Sequence, residues 1–226
     1  MSWAVNNGTG TPKVNVIRNW PDPTAPHPTS HKVPTVVTYN PENPEKLLDW
    51  GFGAVRKRYR NNKEPEQFKW FKLLLQPESL NENGAVDILE LTTLKHLLNT
   101  YGKTAEDVTV DYLSCIWSYT RDQLRKQLDP RFMTKYSVRV IFTIPAIWAP
   151  GSSTKIRKLT RKAGLPEKIY FVQEPEAAAL AVFKGLRQLE VKVGDIITVC
   201  DAGGGTCVRC NFHLKKGQHT NLFLGS

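Results

Sequence analysis

Ile196-Ile197-Thr198-Val199-Cys200, followed at once by Asp201-Ala202-Gly203-Gly204-Gly205-Thr206, restricts this chain more than any other stretch. The first five residues are mostly apolar and β-branched, which predicts a buried strand. A strand that ends in a carboxylate and runs into three glycines and a hydroxyl suits a phosphate group. Glycine lets backbone N–H groups approach an anion with no Cβ in the way, and it tolerates positive φ. The aspartate at such a strand end can hold a Mg²⁺-bound water or orient an attacking one. The same residues also suit a plain turn between two strands.

The segments upstream repeat the pattern. Ile169 to Val172 reads as a short apolar strand, and Gln173 and Glu174 follow it. Pro175 then takes what reads as the first helical position, where a missing N–H costs nothing. The alanine-rich run from Glu176 to Ala181 opens a helix closed by Gly185. Earlier, Val138 to Ala146 forms a strand, and Ser152 or Ser153 is the expected cap of a helix with Ile156, Leu159 and Ala163 on one face and Gly164 at its end. Strand, helix, strand, helix, strand, glycine loop is an α/β order.

That order, with Thr143-Ile144-Pro145-Ala146, Glu174-Pro175 and its alanines, and Asp201-Ala202-Gly203-Gly204-Gly205-Thr206 in register, resembles the actin-like ATPase domain of the heat-shock-70 chaperone family. A looser likeness starts at Val33-Pro34-Thr35-Val36-Val37 and continues through Gly51-Phe52-Gly53-Ala54. Trp148 and the tryptophan-rich insert are closer to divergent members found in fungi and animals than to the housekeeping chaperones. The resemblance implies an actin-like (ribonuclease H-like) lobe with a mixed sheet flanked by helices, the strands near 14–17, 138–144 and 169–172 forming that sheet. It assigns residues 1–33 and 104–192 to this lobe, 34–103 to a smaller inserted α+β subdomain, and 193–226 to the start of a second lobe with a basic tail. No first phosphate hairpin precedes Met1, and Gly8-Thr9-Gly10-Thr11 is a poor substitute, so the chain is expected to be truncated at both ends.

Roles follow from the resemblance. ATP and Mg²⁺ are the implied cofactors. The backbone of Gly203, Gly204, Gly205 and Thr206 would hold phosphates, and Asp201 would act on the Mg²⁺ shell through water. Glu174 would position the attacking water. Lys69 and Lys72 lie near the place of the family's phosphate-reaching lysine, and Lys72, just before Leu73-Leu74-Leu75, is the better match. With parts of the family domain absent, ATP binding and hydrolysis are expected to be weak or lost. Family partners beyond the nucleotide are unfolded clients and co-chaperones. A non-catalytic scaffold that docks another chain along the strand near 196–212 is the alternative.

The chain of 226 residues carries a formal net charge of +10. The cations are spread between Arg56-Lys57-Arg58-Tyr59-Arg60 and the helix from Ser153, without a nucleic-acid-binding signature, so solvated faces explain them. No run approaches the roughly 18 apolar residues of a membrane span, and no signal peptide opens the chain, which points to the cytoplasm. Cys200, Cys207, Cys210 and His213 have the ligand count of a zinc site. Against that reading, the pleat is expected to turn Cys200 into the core and to set Cys207 and Cys210 on opposite faces. Cys115 reads as a small buried hydrophobe.

The amino-terminal half is rich in proline and asparagine, with Val14 to Ile17 as a short strand. Phe68, Phe71, Leu74 and Leu75 predict an amphipathic helix over Glu64 to Leu75. A helix over Leu91 to Asn99 precedes a start signal at Thr104-Ala105-Glu106-Asp107, and the long helix that follows stops at Asp129-Pro130. Trp117 and Trp148 are expected in the core.

Overall fold

Thr104 starts the longest element of the chain. The computed structural model describes residues 1–8, 10–22, 30–56, 65–75, 88–148, 151–185, 192, 194–202 and 207–213, with 56, 88, 183–185, 201, 202, 207, 208 and 213 described by backbone alone. Thr104 Oγ1 accepts from the Asp107 backbone N–H at 3.1 Å, and Asp107 Oδ2 accepts from the Thr104 N–H at 3.0 Å. This reciprocal capping box satisfies two N–H groups that a helix start leaves open. The Thr104 hydroxyl, which donates to the same Oδ2 at 2.6 Å, and then the Thr104 N–H hold the Asp107 carboxyl below the usual carboxylate range. Helix α3 then runs Ala105–Gln127 and buries Val108, Thr109, Tyr112, Trp117, Thr120 and Leu124, a spacing of one helix face. Leu128 caps it, so it ends just short of the expected stop.

One side of α3 carries a three-stranded antiparallel sheet. Strand β3 (Val37–Asn40) lies between β4 (Asn43–Trp50) and β5 (Gln67–Phe68). The short helix α1 (Phe52–Arg56) follows β4. Val37, Tyr39, Phe68, Phe71, Tyr101, Val108 and Tyr112 close a core with α2 (Ile88–Thr100). The described part of the helix expected from Glu64 to Leu75, residues 65–75, forms no α-helix. Its aromatics are buried another way: Phe68 pairs with Val37 in the ladder, and Phe71 enters the same core. Between them Trp70 adopts φ +62°, a left-handed conformation that no helix interior accommodates. A single 3-10 turn, Leu73–Leu75, follows, with Leu73 N–H donating to Trp70 C=O at 2.9 Å.

The other side of α3 carries a parallel pair. Strand β6 (Val140–Ile144) and strand β7 (Ile169–Gln173) pair without interruption from Val140↔Ile169 to Ile144↔Gln173. A parallel pair needs a crossover, and α5 (Ser152–Lys162) supplies it. The expected serine cap is absent. Gly151 caps α5 at φ +98°, where serine would be strained, and Ser152 falls inside the first turn. Gly164, at φ +77°, ends the crossover helix as expected. Between α3 and β6 lies the short α4 (Phe132–Lys135), and α6 (Glu174–Gly185) follows β7 directly.

Two further ladders are separate. Strand β1 (Ser2–Trp3) pairs antiparallel with β2 (Asn15–Val16). Among the described residues the segment near 14–17 pairs with β1 and β6 pairs with β7, so the mixed sheet expected of these strands is not found as one ladder. Strand β8 (Ile196–Ala202) forms an antiparallel hairpin with β9 (Cys207–His213) and packs on α6. The expectation of a buried β8 fails. Ile196, Thr198 and Cys200, one face of the strand, are exposed, and Ile197 and Val199 on the other face are only half-buried. The chain is thus mixed α/β with several small sheets and helices, compatible with one lobe of an actin-like ATPase.

Two polar contacts tie the β3 sheet to α3. Tyr39 Oη donates to Asp111 Oδ2 at 2.7 Å, and Lys103 Nζ lies 3.4 Å from the same oxygen and 4.3 Å over the Tyr39 ring. Tyr112 Oη donates to Pro34 C=O at 3.1 Å. Trp117 is buried, as expected. Trp148 is only half-buried, against Leu75, Ile156 and Leu159.

Candidate functional site

Because β6 and β7 run parallel, their carboxyl ends lie on one side of the pair. In open α/β sheets ligands bind outside such ends. Glu174 follows the last ladder residue, Gln173, and is the first residue of α6. Pro175 behind it is fully buried, which anchors the start of the helix. The carboxylate therefore projects from a junction whose backbone is held on both sides.

Lys72 reaches the same place from the 3-10 turn. Its neighbour Phe71 is buried against Tyr112 with ring centroids 5.7 Å apart, so Lys72 is turned outward. Lys72 Nζ donates to Glu174 Oε1 at 2.8 Å, joining residues 102 apart in sequence. Their side chains are 50% and 25% exposed. The pair is therefore solvent-accessible, and its net contribution to stability is small. Lysine offers three donors and the carboxylate only acceptors, so an incoming anion can take over one of the lysine's bonds.

One neighbour lies against the pair, and a second side chain braces the turn that carries the lysine. Trp148 sits in the turn after β6, its N–H donating to Pro145 C=O at 3.2 Å, and the Lys72 ammonium lies 5.8 Å from its ring centroid. The indole Nε1 is buried with no acceptor among the described residues. Lys155 on α5 pairs with Glu106 at 2.7 Å and donates to Leu75 C=O at 3.5 Å, which ties the end of the lysine's turn to α5 and α3. The sequence offered a trace of Trp148's position, an indole just after the strand-ending Pro145-Ala146, but hydrophobicity alone sends tryptophan to the core. Nothing in the sequence marks the Lys155–Glu106 contact.

The structure brings Lys72 and Glu174 together. Lys69 has no ion-pair partner among the described residues. Asp201 lies in β8 opposite Val208, and its side chain is outside the described residues. Gly203, Gly204, Gly205 and Thr206 lie outside them altogether.

Cys200 is exposed rather than turned into the core, and Cys210 pairs in register with Val199. The side chains of Cys207 and His213 are not among those described, and no three His, Cys, Asp or Glu side chains that are described gather into a metal site. Cys115 is half-buried, and burial, with Asp111 and Asp49 nearby, pushes its thiol up to about 11. No described helix is long and apolar enough to cross a membrane.

No family model matches the chain. Among curated proteins it is similar to human heat shock 70 kDa protein 12A, with 24% identity over 224 residues, covering 93% of this chain and 32% of that protein. The mouse 12A protein gives the same figures, 24% over 224 residues. Human heat shock 70 kDa protein 12B is 27% identical over 225 residues, covering 93% of this chain and 31% of its own length. The chain spans about a third of the length of these relatives. At this distance the chain is weakly similar to heat-shock-70 proteins 12A and 12B, in agreement with the family that its three motifs resemble.

Proposed function

We propose that this chain forms part of a heat-shock-70-like ATPase domain and that Lys72 and Glu174 belong to its polyphosphate site. One observation carries the reading: two oppositely charged side chains from distant parts of the sequence meet at 2.8 Å beside the carboxyl end of a parallel strand pair. The distant likeness to the 12A and 12B proteins supports it.

An ammonium there fits a phosphate oxygen, and the carboxylate fits a water or hydroxyl donor. Mg²⁺-ATP, when bound, would supply the transferable phosphoryl group. Lys72 would neutralise charge on that group, and Glu174, once released from the lysine, would accept a hydrogen bond from the attacking water. Asp201 would face the Mg²⁺ shell, and the backbone of Gly203 to Thr206 would hold phosphates. Phosphoryl transfer depends on positioning and electrostatics more than on covalent help, so these roles need geometry more than unusual reactivity. Coupling to protein clients and a cytosolic address belong to the same proposal.

Calorimetric titration with Mg²⁺-ATP tests it. Weak heat that approaches saturation only at high nucleotide, and is lost in Lys72→Met and Glu174→Gln, is expected. No heat at millimolar nucleotide removes the nucleotide reading. In that case the exposed strand β8, with Ile196 59% accessible, favours a scaffold that docks another chain.

A further inference from the structure

The ring of Trp148 has no place among the assigned roles, yet its position is costly. A buried donor without an acceptor costs about 1–3 kcal/mol, and the Trp148 Nε1 is such a donor among the described residues. Phenylalanine would fill much of the same space against Leu75, Ile156 and Leu159 without that cost. What phenylalanine would not supply is the strongest aromatic face for a cation. The cation is present: Lys72 Nζ stands 5.8 Å from the indole centroid, within the range of such contacts. The lysine side chain is half-exposed and, among the described residues, otherwise held by Glu174. A long flexible stem needs a second contact to stay in one place once its carboxylate partner is displaced.

We propose that Trp148 is a positioning residue for Lys72: its ring keeps the ammonium at the end of the β6–β7 pair while the lysine exchanges Glu174 for a phosphate oxygen. This rests on the polyphosphate reading of the site. The exchange is a change of hydrogen-bond partner with no covalent step. The ring attracts the cation whether or not Glu174 holds it, so the lysine need not swing into solvent between partners.

The test uses the full chain, inorganic tripolyphosphate as the probe, and two readouts. By NMR, ring current from Trp148 shifts the Lys72 Hε protons upfield; the shift shrinks in Trp148→Phe and vanishes in Trp148→Leu. By calorimetry, tripolyphosphate binding weakens roughly three- to tenfold in Trp148→Leu and less in Trp148→Phe, as expected for losing a cation–π contact. In a Lys72→Gln background the tryptophan substitutions change binding no further. Trp148→Phe unfolds at no lower temperature than the parent, which separates a positioning role from a packing role. Unshifted Lys72 protons in the parent overturn the proposal, and so does equal binding by all three proteins or equal weakening with and without Lys72. If the parent shows the ring-current pattern but binds no tripolyphosphate, the seat for the lysine stands and the polyphosphate reading falls. If Trp148→Leu does not fold, the parent and Trp148→Phe still decide through both readouts.

Discussion

Replacing Tyr39 with phenylalanine removes one oxygen from the joint between the β3 sheet and α3. The ring is 1% exposed and packs edge-on to Phe68 at 5.0 Å, and phenylalanine keeps that contact and the face presented to Lys103. The loss is the 2.7 Å bond to Asp111 Oδ2. Hydrogen bonds to charged groups contribute about 1.5–3 kcal/mol. Asp111 keeps Lys103 and is 35% exposed, so water recovers part of the loss and about 1–2 kcal/mol is expected. With a urea slope of about 2 kcal/mol per molar, the unfolding midpoint drops by roughly 0.5–1 M at unchanged slope. Asp111→Ala should cost more, about 3 kcal/mol, because it leaves the Lys103 ammonium buried without its carboxylate. Tyr39→Phe added to Asp111→Ala should then be nearly neutral. Alkaline stability gives an independent check. Burial, and then the Asp111 bond, hold the Tyr39 hydroxyl protonated well above its ordinary range. An unfolded tyrosine ionises near pH ~10, so this contribution is intact below that pH and is lost as pH climbs, by up to about 1.4 kcal/mol per unit. The parent should therefore lose stability faster than Tyr39→Phe between pH 10 and 11. A midpoint unmoved by Tyr39→Phe, or an identical alkaline slope, would refute the reasoning.

Three other outcomes are expected. Trp70→Gly and Trp70→Ala both lose packing against the first core, but glycine accepts φ +62° and alanine does not, so the glycine variant should be the more stable by about 1 kcal/mol; equal midpoints would mean that the left-handed turn is not populated in solution. Thr104→Ala removes half of the capping box and should cost about 1 kcal/mol, read as a lower melting temperature, with Thr104→Ser close to the parent. At pH 8, iodoacetamide should modify exposed Cys200 well before Cys115, whose thiol is held protonated up to about 11; peptide mapping that finds Cys115 first contradicts its burial.

Much of the fold was legible where one local cause dominates. The capping box at Thr104 and the helix end at Gly164 were readable because each depends on a few adjacent residues, as was the strand-to-helix junction at Glu174–Pro175, where α6 starts one residue earlier than expected. Glu64 to Leu75 was misread because Phe68, Phe71, Leu74 and Leu75 have helical spacing, while tertiary pairing with Val37 selected a strand and a turn. Ile196 to Cys200 was misread because β-branched residues fit any pleat, and burial depends on how many neighbours a strand acquires. At the site, the sequence named Lys72 and Glu174 from family likeness, but their meeting depends on a turn that it did not predict. Trp148 escaped because no periodicity distinguishes an indole in the core from one beside a cation.

The five-pair register between β6 and β7 determines where Glu174 sits, and the return path between the two strands does not. In the connection from α5 to β7, Ala163 and Leu165 are buried and the Lys168 C=O accepts from the Val140 N–H, so an insertion or a grafted epitope with little movement of the acid fits only near exposed Glu167. One residue added within 169–173 would swing that carboxylate to the opposite surface of the sheet. Evolutionary novelty in this chain is therefore cheapest on the crossover side, and drift in strand length is where the acid would be lost first.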